Sequence, residues 1–307
     1  MSPSKIAIIG AGAVGSTVAY AATLRNLAAE IILIDVNEAK EEGEVMDIAD
    51  GLCFVETGCV KGAGFKDAAD ADVVVITAGL PQKIGETRLD LINKNAKILQ
   101  SIFKAIGKLK KETIVLVVAN PVDILTYLAQ EISGLPKNQV FGSGTTLDTA
   151  RLKTELGHHL RVSPQNIDGY VLGEHGDSEF VAWSSVTVGG TPIANIKSVS
   201  NPDLKKMEDK VKKEAYEIIN RKGATCYGIG LVVSNILEAI LLNQHKILPI
   251  SSRLSNWNGV SDICLGAPTV IGRGGVEYVW PLELNKEEKN KLLKSAETLK
   301  SYLGRSK

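Results

Sequence analysis

One stretch near the start limits what this chain can fold into: the run Ile6 to Ile9 leads straight into Gly10-Ala11-Gly12-Ala13-Val14-Gly15, and a helical pattern opens inside it and runs to Leu27. A strand that turns into a helix through three glycines presents the backbone N–H groups of the helix N-terminus, those of Ala13 and Val14 included, to an anion. Each glycine has its own task. Gly10 permits the tight turn, Gly12 leaves room for a phosphate to approach the backbone, and Gly15 lets the helix pack closely on the strand. Glycines also serve ordinary turns, but a strand before and a helix after are the context a dinucleotide pyrophosphate requires.

Asp35 stands 20 residues beyond Gly15, at the end of the next apolar run, Ile31 to Ile34. A carboxylate there accepts hydrogen bonds from both hydroxyls of an adenine ribose and repels a 2′-phosphate, so the spacing predicts NAD rather than NADP. By itself Asp35 would read as a strand-end turn residue.

Further apolar runs, Val73 to Ile76 and Ile114 to Val118, alternate with helical patterns and show no polar alternation. Strands of that kind are covered on both faces, which predicts an α/β fold with a doubly wound parallel sheet. After about Phe141 the pattern loosens into a helix at Leu147 to Leu156, a strand at Tyr170 to Leu172 and an alternating stretch from Ala182 to Val188 that favours antiparallel pairing. An amphipathic segment from Pro202 to Ile219 follows. Beyond the glycines of 223–230, an apolar helix ends near Asn243. Asn285 and Glu288 form a capping box for a final helix. A chain of 307 residues exceeds one small core, so the expectation is a dinucleotide-binding domain over residues 1–142 and a mixed α+β catalytic domain over 143–307.

Composition excludes several partners. Lysine plus arginine and aspartate plus glutamate each total 35, leaving no long-range field to attract nucleic acid or an anionic membrane. The longest weakly charged stretch, Gly228 to Leu242, is interrupted by Ser234, Asn235 and Glu238 and is shorter than a membrane span, so it reads as a buried helix. A strand pattern begins at Lys5 with no basic and apolar leader before it, and a cytoplasmic location is expected. Cys53, Cys59, Cys226 and Cys264 lack CxxC or zinc spacing; they read as packing residues, and no metal is expected. The run Lys205 to Lys213 has acidic residues interleaved at helical spacing and reads as a solvated helix face.

Four later segments belong together: Gly79-Leu80-Pro81-Gln82-Lys83-Ile84-Gly85-Glu86-Thr87-Arg88, Ala119-Asn120-Pro121, Leu147-Asp148-Thr149-Ala150-Arg151 and Gly173-Glu174-His175-Gly176-Asp177. With the glycine loop, they resemble the L-lactate/malate dehydrogenase family in order and spacing over nearly the whole chain. The resemblance implies NAD-dependent interconversion of a small 2-hydroxy acid and its 2-oxo acid. That reaction moves a proton at the hydroxyl, a task suited to a histidine whose ordinary pKa lies near neutrality. His175 matches the family's catalytic histidine, and Asp148 the carboxylate that orients its ring. Without the motif, Asp148 would be an ordinary helix N-terminal aspartate and Arg151 a solvent-facing helix arginine.

Arg151 matches the family's substrate-carboxylate fork. Arg88 matches the loop arginine that polarises the reacting carbonyl. Asn120 matches the residue that orients nicotinamide and substrate oxygen, and Thr225 one lining the pocket beside the substrate's small side chain. Thr77, Ala78 and Gly79 join Asn120 in the implied cofactor-binding set. His158 and His159 sit where a helix should end and His245 follows another helix, so all three read as structural.

The family discriminates lactate from malate six residues before the loop arginine. That position is Gln82, where malate-specific members carry arginine; a neutral amide leaves malate's second carboxylate without a cation. The expected pair is therefore L-lactate and pyruvate, a glycolytic reaction. A malate dehydrogenase with the same machinery is the alternative, and a silent NAD-sensing module a more distant one. Members activated by fructose 1,6-bisphosphate carry an arginine and a histidine where this chain has Lys153 and Asp168, and an aspartate facing a phosphate is repulsive. Such activation is expected to be absent or weak. The resemblance also implies a homotetramer or dimer.

Overall fold

The computed structural model describes residues 4–81, 85 and 87–305. The first half holds β1 (Lys5–Ile9), α1 (Ala13–Leu24), β2 (Glu30–Ile34), α2 (Glu38–Ala49), β3 (Cys59–Gly62), β4 (Val73–Ile76), α3 (Arg88–Ile106), β5 (Ile114–Val117), α4 (Val122–Ile132) and β6 (Val140–Gly142). The six strands pair in parallel in the order β3-β2-β1-β4-β5-β6. The order reverses between β1 and β4, opening a crevice at their carboxyl ends where ligands of such sheets bind.

The second half continues with α5 (Thr146–Leu160), β7 (Ile167–Asp168), β8 (Val171–Leu172), β9 (Phe180–Val181), β10 (Thr187–Val188), β11 (Thr191–Pro192), α6 (Asn201–Lys222), α7 (Tyr227–Leu241), β12 (Lys246–Arg253), β13 (Cys264–Gly272), β14 (Gly275–Val279) and α8 (Lys286–Arg305). β12, β13 and β14 extend the parallel sheet antiparallel, with Ser251 opposite Gly142, so one nine-stranded sheet crosses residue 142. β7, β10 and β11 form a small antiparallel sheet, and β8 with β9 a second.

Both faces of the parallel strands are apolar. Ile6, Ile8, Leu33, Val73 and Val75 point toward α1 and α7, and Ala7, Ile9, Ile32, Val74 and Ile76 toward α3 and α4. The apolar stretch at Gly228 to Leu242 is α7, and its Val233, Ile236 and Leu237 are buried in the core of the first half. No helix among the described residues is long and apolar enough to cross a membrane.

Departures from the sequence pattern have local causes. α1 stops at Leu24, because Asn26 turns to a left-handed φ of 52° while its Oδ1 accepts the N–H groups of Glu56 and Thr57. The Ala182 to Val188 stretch opens as a 3₁₀ turn at Trp183–Ser185 and becomes strand only at Thr187. The long strands β12 and β13 had no visible alternation: β13 is buried along its whole length and carries Gly266 and Pro268. Cys226 and Cys264 are buried, but Cys53 is exposed, since it sits on a single 3₁₀ turn outside the sheet layers; the packing reading does not hold for it.

Candidate active site

The glycine loop lies at the crevice. Gly10 has φ +108° and donates its N–H to Ile34 O at 2.7 Å. A Cβ on Gly10 would stand 2.8 Å from Ala78 N and from Thr77 Oγ1, while one on Gly15 would collide with Gly10 O. Among the described residues nothing crowds Gly12 and no side chain caps the α1 N-terminus. Asp35 joins the loop directly, its Oδ2 accepting the Ala11 N–H at 2.7 Å. The Thr77 hydroxyl is 3.0 Å from both Ile9 O and Gly10 O, so it braces the turn. An uncapped helix N-terminus, an open glycine and an adjacent carboxylate fit a dinucleotide.

α5 supplies the next pair. Asp148 and Arg151 lie one turn apart, both buried, with Nη1 of Arg151 donating to Asp148 Oδ1 at 2.7 Å. The helix is set by the turn after β6: at Gly144 (φ +53°) a Cβ would collide with the Ser251 backbone of β12. His175 reaches the same carboxylate from the loop between β8 and β9, with Nδ1 2.6 Å from Asp148 Oδ2. An ionised carboxylate only accepts, so Nδ1 carries the proton and donates. Gly173, at φ +92°, exchanges both backbone hydrogen bonds with Gly266 of β13 at 3.0 and 2.8 Å, fixing the start of that loop.

Three further carboxyls surround His175. Asp123 of α4 accepts the His175 main-chain N–H at 2.8 Å and the Ser251 hydroxyl at 2.6 Å. Glu179 is buried, with a carboxylate oxygen within 4.8 Å of the facing Asp148 and His175 atoms. Glu174 is buried and pairs with Arg88. Arg88 opens α3 behind a Thr87/Asp90 capping box; its guanidinium carbon is 5.5 Å from the Tyr302 ring centre, and a Cβ on Gly176 would lie 3.3 Å from both its terminal nitrogens. Arg88 Nε is buried with no hydrogen-bond partner among the described residues. Arg88, Glu174, Asp177, Glu179 and Lys212 help line a cavity of about 670 Å³.

The charges interlock. Desolvation opposes a cation on His175 and is the largest single influence, yet Asp148, by attraction and hydrogen bond, outweighs it with help from Glu179 and Asp123, raising the ring to about 9. Burial likewise pushes Asp148 upward, but His175 and Arg151 together hold it below its ordinary value. Burial and then the charge of Asp148 push Glu179 up to about 8. Burial pushes Asp123 to about 6 despite its bonds from Ser251 and His175. At neutral pH the site therefore holds a protonated imidazole against an ionised Asp148, with Glu179 mostly neutral behind them.

Of the remaining candidates, Asn120 sits exposed just past β5, its Oδ1 accepting the Val122 N–H at 3.3 Å. Ala78 and Gly79 continue from β4 beside the Gly10 turn. Thr225 lies half-buried in the bend between α6 and α7, three residues before Gly228, where a Cβ would come 3.0 Å from Leu147. Gln82 lies outside the described residues. His158 and His159 are exposed in the last turn of α5, and His245 faces Glu277 at 2.7 Å.

Family models cover both halves of the chain: the lactate/malate dehydrogenase NAD binding domain matches residues 4–142, and the lactate/malate dehydrogenase alpha/beta C-terminal domain residues 145–306. The chain belongs to the lactate/malate dehydrogenase family. An L-lactate dehydrogenase of Clostridium botulinum is 48% identical over 98% of this chain and 96% of its own length, and one of Clostridium perfringens 46% identical over 99% and 97%. The ligands-bound crystal structure of the minor L-lactate dehydrogenase from Enterococcus mundtii superposes with a TM-score of 0.97 at 42% identity, covering 100% of this chain and 99% of that one. Its ligands-unbound form gives 0.90 at 42% identity, covering 100% and 98%.

NAD is the cofactor, and residues 4–142 match the family's NAD binding domain. Sequence reading missed Asp123, Glu179 and the resting partner of Arg88. Asp123 begins a helix, where an aspartate is ordinary. Glu179 gave one faint signal, an acid leading directly into the apolar pair Phe180-Val181.

Proposed function

We infer that the protein interconverts L-lactate and pyruvate with NAD, and that His175 exchanges the proton. Bound NAD supplies the two-electron acceptor for the C2–H bond. The observation that carries the reading is the chain of contacts His175 Nδ1 to Asp148 Oδ2 at 2.6 Å and Asp148 Oδ1 to Arg151 at 2.7 Å. Asp148 fixes the tautomer and stabilises the imidazolium, leaving Nε2 as the nitrogen that protonates the ketone of pyruvate or takes the hydroxyl proton of lactate. Arg151 offers its remaining donors to the substrate carboxylate, which sets the face of C2 presented. Arg88, released from Glu174, brings a cation to the developing alkoxide; contacts of this type supply ~3 kcal/mol or more.

Asn120 orients the oxygen and the nicotinamide, Thr225 lines the small side-chain pocket, and Gln82 leaves a second carboxylate unpaired. Gly10, Gly12, Ala13, Val14 and Gly15 hold the pyrophosphate and Asp35 the adenine ribose, with Thr77, Ala78 and Gly79 along the same crevice. The cofactor domain is assigned to residues 1–142 and the catalytic domain to 143–307. A cytoplasmic homotetramer or dimer follows from the same reading.

NADH consumption with pyruvate and with oxaloacetate, side by side, tests the assignment. Pyruvate is expected to win by at least ~100-fold in kcat/KM, and Gln82→Arg to move the preference toward oxaloacetate. Faster turnover of oxaloacetate by the parent protein would overturn it.

A further inference from the structure

Asn95 lies on α3, two turns after Arg88, and is buried to within 1% of full enclosure. Among the described residues its side chain hydrogen-bonds to backbone alone. Oδ1 accepts the Leu80 N–H at 2.8 Å, and Nδ2 donates to Leu80 O at 3.1 Å and to Asn120 O at 2.7 Å. The two strands that lead into these peptides, β4 and β5, are neighbours, and the segments leaving them crowd together: a Cβ on Gly79 would sit 3.2 Å from Ala119 Cβ and 3.5 Å from Asn95 Nδ2.

We propose that Asn95 is a positioning residue for turnover: through one carboxamide it locks the Asn120 turn to the start of the Arg88 segment and to the helix that carries Arg88. Three backbone groups need partners here, one donor and two acceptors, and each left unmatched would cost free energy. Only a carboxamide offers an acceptor and two donors in one plane at this reach. A carboxylate of the same shape keeps the bond from Leu80 N–H but turns its second oxygen, which only accepts, against both Leu80 O and Asn120 O. An apolar side chain satisfies none. The lock fixes where the Asn120 peptide stands at the edge of the crevice and where the Arg88 segment departs, so its loss is felt in the ternary complex rather than at the pyrophosphate, which binds at the far side of β4.

The inference rests on the assignment of NAD-dependent pyruvate reduction. The test measures kcat and KM for pyruvate, the NADH dissociation constant and the thermal midpoint for the parent, Asn95→Asp and Asn95→Ser, each from pH 5.5 to 8.5. Asn95→Asp is expected to lose about tenfold or more in kcat at pH 8 while NADH binding changes less than about twofold. Its activity relative to the parent should climb as the pH falls, because protonation of the new carboxyl restores a donor toward Asn120 O. Asn95→Ser, which has one hydroxyl and no group titrating in this range, should lose turnover by a constant factor and keeps the inference testable if Asn95→Asp does not fold. A variant kcat within about twofold of the parent's, a flat relative pH profile for folded Asn95→Asp, or losses in NADH binding as large as those in turnover would each overturn the proposal. If the parent itself fails to oxidise NADH with pyruvate, the functional assignment falls instead.

Discussion

At the scale of single residues the decisive quantity is the proton on His175. With Asp148 holding the ring at about 9, kcat/KM for pyruvate should stay level through neutral pH and fall above about 9, while lactate oxidation, which needs the neutral ring, should rise toward the same pH. Asp148→Asn removes the charge that raises the ring and permits the wrong tautomer. It should therefore move both limbs toward the ordinary histidine range near ~6.5 and cost on the order of 10³-fold in kcat/KM at neutral pH; limbs that stay in place on a pH–rate profile would assign them to another group. A second residue-scale prediction concerns Lys153, whose ammonium lies 3.9 Å from Asp168. The cation that could meet a phosphate already faces a carboxylate, so fructose 1,6-bisphosphate should leave the pyruvate saturation curve unchanged.

At the scale of elements, α8 shows how a short sequence signal becomes a tertiary contact. The capping box is present as the spacing predicts, with Asn285 Oδ1 accepting the Glu288 N–H and Glu288 Oε2 accepting the Asn285 N–H, each at 3.0 Å. Glu288 then reaches further, accepting the Ser184 N–H at 2.9 Å and the Ser184 hydroxyl at 2.6 Å. Glu288→Ala should accordingly destabilise the fold by about 2–3 kcal/mol, against about 1 kcal/mol for Asn285→Ala, which loses the cap alone; urea unfolding measures the difference. The same contrast explains what could be read from the chain beforehand. β1, β2, β4, β5 and the helices between them obey local rules of period and punctuation, and the Gly10 to Gly15 loop, Asp35, Asp148, Arg151 and His175 stand in motifs. β13 does not, because a strand buried on both faces and laced with Gly266 and Pro268 has no alternation. Asp123, Glu179 and Asn95 escaped for a related reason: their importance lies in burial and in partners distant along the chain, and neither is written in neighbouring residues.

At the scale of the whole molecule, three groups of one site bias stability in the same direction. Asp123 at about 6 and Glu179 at about 8 bind protons in the folded state at pH values where the unfolded chain, with ordinary carboxyls, has released them. His175 at about 9 likewise keeps its proton above the ordinary histidine range. For a raised histidine, the stabilisation is fully present below its unfolded pKa near ~6.5 and is lost as the pH rises through the folded value. For a raised acid the folded state is penalised progressively as the pH climbs from the unfolded pKa near ~4 to the folded one. Each group then contributes a slope of about −1.4 kcal/mol per pH unit across its own window. Without cofactor, stability should decline from about pH 5 to about pH 9, and Glu179→Gln should flatten the part below about pH 8 by removing one titration. Denaturant unfolding at several pH values, at one fixed protein concentration so that subunit association does not shift the midpoint, measures that slope. A parent whose stability rises steadily from pH 5 to 9 would mean that the buried carboxyls ionise without penalty, and that the site is more open to water than its geometry implies.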